Sequence, residues 1–341
     1  MSRLKLRHLG VENENGDICG VVTSRDLLRL RAQEASILGD ALDQANDVPA
    51  LAAAWARLPQ AASGLVAEGV GARDIAAVIS RELGALTRRA GVLAERRMKT
   101  DSHGAPDGAA DRWFAQFGGI VADLLHEVGV PYCKGGVMAK NAAWRGSMAT
   151  WRARIADWIT RSDPTDLLSV DIFFDLVGVC GDAALANDLR RAAFDAAAGN
   201  AGFAKLLAEV AGEVQPGLNF WGGFSTENGR IDLKKAGLFG IVTSARVLAI
   251  CHHLLERSTP ARLAAIAGLE RGGAHDLDAL ADAQALFLEF ILMQQLADMR
   301  GGLPPSNKVA VKRLSREQRA RLREALHAVR HLDALTHDLL F

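Results

Sequence analysis

The spacing of hydrophobic residues changes several times along the chain, and the first segment has the pattern of a β-hairpin. Short apolar stretches at residues 8–11 and 18–23 flank a polar turn at residues 12–17, and residues 24–35 continue with helical character. Apolar runs separated by a polar turn are typical of paired strands. The pattern therefore predicts a β-turn-β-α unit at the N-terminus.

The next segment has the period of a helix. Residues 36–98 are rich in Ala, Leu and Arg, with apolar residues three and four positions apart, as at Leu51, Trp55 and Leu58. This spacing predicts a helical arm or bundle. Residues 99–110 are polar and contain glycine and proline, so we expect an irregular, exposed and mobile connection there.

A mixed pattern follows the connection. Residues 113–127 predict a helix, Gly129 a turn, the approach to Cys133 a strand, and the following residues a long helix. The apolar run at residues 167–176 predicts another strand. From about residue 190 to the end the pattern is helical with Gly and Pro breaks, which predicts an all-helical domain. The fold class expected is mainly α with a small α/β part, in which the few strands leave an exposed sheet edge.

Composition places the chain among ordinary globular proteins. It has 341 residues, of which 49% are hydrophobic and 23% charged, enough for two or three domains with apolar cores. Forty Lys and Arg residues balance forty Asp and Glu residues. Zero net charge predicts no basic field for nucleic acid, so we expect no nucleic-acid partner.

Cysteine spacing and hydropathy indicate the compartment. The four cysteines lack C-x-x-C spacing, which is typical of reduced intracellular thiols. No run approaches the roughly 20 apolar residues of a membrane span, and the N-terminus lacks the apolar core of a signal peptide. We expect a cytoplasmic protein without a membrane partner.

Common catalytic motifs are missing from the sequence. It contains no G-x-x-x-x-G-K-[ST] loop, no G-x-S-x-G elbow, no H-E-x-x-H pair and no G-x-G-x-x-G after a strand. The familiar P-loop, hydrolase, zinc-protease and dinucleotide-binding sites are therefore not indicated.

Two C-terminal stretches carry a family resemblance. Residues 227–263, ENGRIDLKKAGLFGIVTSARVLAICHHLLERSTPARL, and residues 293–315, MQQLADMRGGLPPSNKVAVKRLS, resemble the substrate-binding domain that follows the nucleotidyltransferase domain in bacterial CBS-domain signalling proteins. This family is related to the uridylyltransferase of the PII signal protein and to glutamine-synthetase adenylyltransferase. The resemblance implies a polymerase-β-like enzyme that uses Mg ions to transfer a nucleotidyl group from an NTP to a protein or small acceptor.

The resemblance implies four domains. Residues 1–35 correspond to a partial CBS motif, 36–100 to the helical arm, 101–189 to an incomplete nucleotidyltransferase domain, and 190–341 to the helical substrate-binding domain. The implied partners are an NTP, a PII-like or other protein acceptor, an adenine nucleotide at the CBS module, and a second copy of the chain in a homodimer.

The stretch from residue 131 to 182 resembles the second half of the nucleotidyltransferase active site. The family places a Gly-Ser turn and an Asp-x-Asp pair just upstream, and neither occurs between Arg97 and Trp113. By resemblance the third metal-binding carboxylate is Asp175, with Asp171 as the alternative, on the predicted IFFDL strand. Alternation would point both carboxylates to one face. The other interpretation of Asp175 is a strand-end carboxylate that caps a neighbour or faces water.

Residues after the predicted Cys133 strand are candidate nucleotide contacts. Glycines there would let backbone amides approach phosphate, and basic side chains would supply charge. These candidates are Lys134, Gly135, Gly136, Lys140, Asn141, Arg145 and Arg152. A tight turn with surface lysines is the alternative, and each arginine has the alternative of an acidic neighbour. Trp144, Trp151 and Trp158 recur every seven residues, which predicts one packed helical stripe.

Further candidates lie near both ends of the chain. Thr23 and Asp26 match CBS positions that hold a phosphate and a ribose hydroxyl in adenosine-nucleotide binders. With only part of one motif present, we favour the other interpretation, in which Thr23 or Ser24 caps the helix and Asp26 stabilises its first turn. In the C-terminal domain the candidates are Asp232, Lys234, Lys235 and Arg246, and we favour Arg246. Convergence of these residues with the Lys134 turn would form a substrate cleft.

Two hypotheses of different classes follow. The first is a PII-uridylyltransferase-like enzyme regulated by an adenine nucleotide. The second is a non-catalytic nucleotide- or protein-binding signalling module, which the absent upstream carboxylate pair favours for this polypeptide.

Overall fold

The computed structural model describes residues 8–12, 18–23, 38–98, 109–161, 170, 172–198, 200–211, 217–269, 274–330 and 332–340. Helices dominate these ranges, and the strands form two small two-stranded sheets. The predicted fold class, mainly α with a small α/β part, is confirmed. The domain boundaries at residues 35, 100 and 189 stay predictions.

The N-terminal strands form the predicted hairpin. Strand β1 (His8–Glu12) pairs antiparallel with β2 (Ile18–Thr23), and the register shifts between Val11 and Glu12. The helix predicted at residues 24–35 and residues 99–108 of the predicted connection lie outside the described residues. The prediction of an irregular connection is wrong at residues 109 and 110, which begin a helix.

The predicted helical arm is also present. It contains α1 (Val48–Trp55), α2 (Leu58–Ala67) and α3 (Ala72–Arg97), and α4 (Ala109–Glu127) packs along α3. Local chemistry sets the first boundary, because the Asp47 carboxylate accepts a hydrogen bond from Ala50 N at 2.8 Å and caps α1. Leu51, Leu86 and Leu124 are fully buried in the core of this arm.

The prediction of a strand leading into Cys133 is wrong. The residues from 130 to 138 form turns without regular structure, followed by the short 3₁₀ helix Ala142–Trp144 and then by α5 (Met148–Arg161). Pro131 lacks a backbone donor, and residues 131–135 are exposed. A segment with no apolar face to bury gains little by joining a sheet.

The prediction of a strand at residues 172–176, IFFDL, is wrong as well. Residues 172–173 are helical and residues 174–175 form a turn, in which Leu176 N donates to Phe173 O at 3.0 Å. Phe173 and Phe174 are both buried, although alternation along a strand would place them on opposite faces. Phe173 stacks on Trp151, whereas Phe174 packs edge-on against Phe194. Helices thus bury both rings, and Asp171 lies outside the described residues.

The prediction that the three tryptophans pack together is confirmed, but they do not lie on one helix. Trp151 and Trp158 lie on α5 and belong to one core cluster with Phe173. Trp144 lies on the 3₁₀ helix, and its ring centroid is 6.1 Å from that of Trp151. The three rings therefore meet without sharing one continuous helix.

The C-terminal part is helical with one exception. Its helices are α6 (Ala183–Ala197), α7 (Ala201–Ala211), α8 (Phe239–Cys251), α9 (Thr259–Ala267), α10 (Ala274–Arg300), α11 (Arg316–Val329) and α12 (Leu332–Leu340). The expectation of an all-helical domain is wrong at β3 (Arg230–Asp232) and β4 (Lys308–Ala310), which pair antiparallel with Ile231 opposite Val309. Both of these side chains are 2% exposed, so the ribbon closes one edge of the core.

Helix α8 is central to this part. Its residues from Gly240 to Ile250, except Val242, are buried, and α7, α9 and α12 pack around it. A helix that is apolar on every side is stable only when it is enclosed. Among the described residues, no helix combines the length and the apolar character needed to span a membrane.

Candidate functional site

Asp175 lies in the turn after Phe174 and is bound by two arginines from different helices. Its Oδ1 accepts a hydrogen bond from Arg262 Nη2 at 2.5 Å. Its Oδ2 accepts from Arg246 Nη2 at 2.6 Å and from Arg246 Nε at 3.1 Å. Arg246 lies on α8 and Arg262 on α9. Both carboxylate oxygens are therefore engaged by guanidinium groups.

A third buried arginine ties the same turn to the segment before α9. Arg190 on α6 donates from Nε to Phe174 O at 3.1 Å and from Nη2 to Leu255 O at 2.7 Å. Arg262 Nε donates to Glu256 O at 3.0 Å. Burial lowers the pKa of Arg190, and the neighbouring charges of Arg257 and Arg262 lower it further. The guanidinium groups thus act as cross-links between separate elements.

The electrostatics keep Asp175 ionised. Burial by itself raises the pKa of Asp175, but the hydrogen bond and charge of Arg246, together with those of Arg262, outweigh it and leave the pKa below the ordinary value. Favourable donors stabilise the charged form of a carboxylate. The Asp175 carboxyl group is consequently ionised at neutral pH.

This environment does not fit a magnesium ion. Mg²⁺ requires oxygen ligands in near-octahedral geometry, whereas guanidinium groups are donors without acceptor capacity. Arg246 and Arg262 already occupy both oxygens of the Asp175 carboxylate. Within the described ranges, no group of three or more His, Cys, Asp or Glu side chains could hold a metal ion.

The Lys134 turn is built by local contacts. Gly136 has φ +74° and its N–H donates to Cys133 O at 3.0 Å, while Asn141 Nδ2 donates to Gly136 O at 2.5 Å. Lys140 Nζ lies 4.3 Å from the Tyr132 ring centroid. The helix that follows has only three residues, so the predicted strand-to-helix phosphate loop is not formed. Lys134 and Gly135 are exposed on this turn.

Arg145 and Arg152 are placed differently from each other. Arg145 Nη1 donates to Ala139 O at 3.0 Å and to Lys140 O at 2.6 Å, and these two bonds stabilise the loop before the 3₁₀ helix. Arg152 is exposed on α5. The acidic neighbour considered for Arg145 is thus replaced by backbone carbonyls.

The C-terminal candidates do not form one helical turn. Asp232 ends β3, and its Oδ1 accepts a hydrogen bond from Lys235 N at 3.2 Å. Lys234 and Lys235 are exposed on a π-helical segment, Lys234–Leu238. Arg246 is buried on α8 and pairs with Asp175. Thr23 ends β2, and Asp26 lies outside the described residues.

Arg190 and Arg262 are not among the site residues predicted from the sequence. Both are charged residues at buried positions of amphipathic helices, with 6% and 1% exposure. An arginine at an apolar position of a helical pattern is the one sequence feature that could have identified them, because buried charges are rare unless paired.

A second polar network was also missed. Asp298 on α10 is 2% exposed and accepts hydrogen bonds from Arg230 Nη1 and Nη2, each at 3.3 Å, and from Gln294 Nε2 at 2.7 Å. Gln294 Oε1 in turn accepts from Ala310 N at 3.0 Å. Burial raises the pKa of Asp298, but its hydrogen bonds from Arg230 and Gln294 outweigh burial and lower it. The network joins the β3–β4 ribbon to α10.

Comparison with known families identifies two segments. The family model described as "Putative nucleotidyltransferase substrate binding domain" matches residues 201–338, and the model described as "Putative nucleotidyltransferase DUF294" matches residues 101–165. Searches of the curated proteins and of the solved structures gave no match. Arg246 and Arg262 fall inside the first segment, whereas Asp175 lies between the two. The two matches support a nucleotidyltransferase-like function in general.

Proposed function

We propose that this chain is a PII-uridylyltransferase-like, CBS-linked signalling protein that acts as a non-catalytic binding module. In this proposal the relatives transfer a nucleotidyl group from an NTP to a protein or small acceptor, and this polypeptide has kept binding without transfer. The two family segments support the ancestry. The loss of catalysis is proposed because Arg246 and Arg262 both form ion pairs with Asp175.

The charges around Asp175 oppose metal binding and hence catalysis. Nucleotidyl transfer needs carboxylates that gather metal ions around the triphosphate and the attacking oxygen. At Asp175 the carboxylate charge is already offset by two guanidinium groups, so a divalent cation would have to displace them. Without a metal clamp the triphosphate and the acceptor lose their alignment, which costs orders of magnitude in rate.

In this proposal, the NTP and the adenine nucleotide bind to different parts of the chain. An NTP would meet the exposed Lys134 turn, where the side chain of Lys134 is open to solvent. An adenine nucleotide would meet the N-terminal unit at Thr23 and Asp26. A PII-like acceptor and a second copy of the chain remain the proposed macromolecular partners.

A transfer assay tests the catalytic part. The full chain is incubated with radiolabelled UTP or ATP, excess Mg²⁺ or Mn²⁺, and a PII-type protein. We expect no label on that protein or on the chain itself. Transfer that is lost in Asp175→Asn but kept in Asp157→Asn would overturn the proposal, provided that circular dichroism shows both variants folded. Asp157 is a suitable control because it forms an exposed pair with Arg161 on α5.

A binding titration tests the module itself. We expect weak binding of fluorescent UTP or ATP that survives Asp175→Asn and is lost in Lys134→Ala. Lys205→Ala is the matched control, since Lys205 is an exposed lysine on α7. Equal loss in both lysine variants, or no binding at all, would contradict nucleotide binding at the Lys134 turn.

A further inference from the structure

Basic residues outnumber acidic residues in one stretch near the C-terminal end of the sequence. Residues 308–330 contain eight Lys or Arg residues and two Glu residues, in a chain whose forty basic and forty acidic residues cancel. A sum of zero therefore conceals a local basic field. The expectation that no nucleic acid would be bound rested on that sum alone.

Helix α11 arranges part of this charge as a stripe. Arg316, Arg319, Arg323 and Arg330 recur at the three-, four- and seven-residue spacings that bring side chains to one face. The buried face of α11 is a different one, with Leu322, Ala325, Leu326 and Val329. Arg316, Arg323 and Arg330 are exposed and Arg319 is half-buried. At 1.5 Å per residue the arginine stripe is about 21 Å long.

Two aromatic rings are held in solvent on a neighbouring hairpin. Phe220 and Trp221 are 90% and 89% exposed. The hairpin closes where Leu218 bridges to Phe224, and Asn219 Oδ1 accepts hydrogen bonds from Trp221 N at 3.0 Å and Gly223 N at 2.9 Å. These contacts fix the backbone of the tip, and the conformation of the turn keeps both rings exposed.

Arg323 joins the hairpin to the stripe. Its Nε donates to Gly222 O at 3.2 Å, and its guanidinium lies 5.1 Å from the Phe224 ring centroid. Arg323 is in the middle of the arginine stripe, so the tip that carries Phe220 and Trp221 lies beside the stripe at mid-length. Ring faces and guanidinium groups thus share one surface.

We propose that Phe220, Trp221 and the arginine stripe of α11 form a binding surface for single-stranded nucleic acid. Bases stack on the exposed rings while the arginines bind backbone phosphates, a combination that holds single strands with little sequence preference. The stripe is longer than one nucleotide, which favours a polymer over a free nucleotide. The rings are flanked in the sequence by Asn219, Gly222 and Gly223, and the nearby Leu218 is buried. The tip therefore offers little aliphatic area, which favours stacking over insertion into a membrane, because insertion depends on buried apolar area.

Fluorescence anisotropy of the full chain with labelled dT and U oligonucleotides of about 15 residues tests this surface. We expect the logarithm of the association constant to fall linearly with the logarithm of salt concentration. Arg316→Gln or Arg319→Gln each removes one phosphate-binding side chain, so each should make that slope shallower by about 0.7. Phe220→Ala with Trp221→Ala should weaken binding about 5- to 150-fold, the range expected for one stacked base, with the salt slope unchanged.

Arg321→Gln is the matched control. It removes the same charge from the same helix, but Arg321 lies on another face and lines a groove with Asp278 and Glu324. We expect little change in this variant. Equal weakening of binding in Arg321→Gln and Arg316→Gln, or the absence of binding at low salt, would overturn the proposal. Binding to anionic phosphatidylserine vesicles that oligonucleotides do not displace would overturn it too. These outcomes are independent of whether the chain transfers nucleotides.

Discussion

Arg262 donates a hydrogen bond to Asp175 at 2.5 Å although the two residues are 87 positions apart in the sequence. Arg262 is 1% exposed and Asp175 is 38% exposed, so the pair reaches from the core to the surface. An arginine buried this deeply is stable only while its partners are in place. The pair therefore links the turn after Phe174 to α9.

Replacing Arg262 tests the strength of this link. Arg262→Met leaves Asp175 with Arg246 alone and deprives Glu256 O of its donor. We expect the free energy of unfolding to fall by about 2 kcal/mol, less than for a fully buried pair because solvent screens Asp175. Urea unfolding gives the value. Arg161→Met, which breaks an exposed pair with Asp157, should cost less than about 0.5 kcal/mol; equal costs would contradict the link.

The stability contributed by Asp175 should disappear in acid. The pKa of Asp175 is lowered in the folded state from 3.8, so the unfolded chain takes up the proton first as the pH falls. The contribution is fully present above about pH 4 and is lost as the pH falls through the folded pKa. We expect wild type and Asp175→Asn to differ in unfolding free energy at pH 7 and to converge below pH 3.8. A constant difference down to pH 3 would argue against the ionised pair.

The buried network around Asp298 should also be sensitive to substitution. Asp298, which is 2% exposed, is the acceptor that Arg230 and Gln294 share, and Asp298→Ala leaves Arg230 with only its bond to Lys308 O. Unpaired buried donors cost on the order of 2 kcal/mol in total. Thermal and urea unfolding should detect this destabilisation. Glu227→Gln alters the exposed pair with Lys308 and should leave stability nearly unchanged.

Two glycine substitutions should change stability in opposite directions. A Cβ at Gly237 would overlap the ring of Phe287, whereas a Cβ at Gly84 within α3 meets nothing within 4 Å. Gly237→Ala should destabilise the chain by about 1–3 kcal/mol through overpacking. Gly84→Ala should stabilise it by about 0.5–1 kcal/mol, because alanine loses less entropy in a helix. A similar effect of both substitutions on the urea midpoint would contradict the packing at Gly237.

Thiol reactivity should separate three of the cysteines. Burial raises the pKa of the Cys251 thiol to about 11, and Cys133 and Cys180 are exposed. At pH 8 an accessible thiolate attacks iodoacetamide and displaces iodide, so peptide mass spectrometry should find Cys133 and Cys180 alkylated and Cys251 intact. Denaturant should make Cys251 reactive. Rapid labelling of Cys251 in the folded protein would show that the end of α8 opens readily to solvent.

The sequence by itself determined the elements whose causes are local. The β1–β2 hairpin follows from two apolar runs around a polar turn. Helix α11 begins at a capping box, in which the Ser315 hydroxyl accepts from Gln318 N at 3.1 Å and Ser315 N donates to Gln318 Oε1 at 2.9 Å. The helical period also identified most of the arm and the C-terminal part. Such signals act over a few residues, so no partner segment is needed to interpret them.

The tertiary structure decided the conformation of residues 172–176, the IFFDL run. A short apolar run has the same composition in a buried strand and in a buried helical turn, and periodicity cannot separate them. Helices on either side enclose Phe173 and Phe174, and neither sheet of the described residues includes this run. Asp175 then meets arginines from α8 and α9, which are 71 and 87 residues further along the chain. Only packing brings charges together over such separations, and no local pattern specifies which partner a buried charge will find.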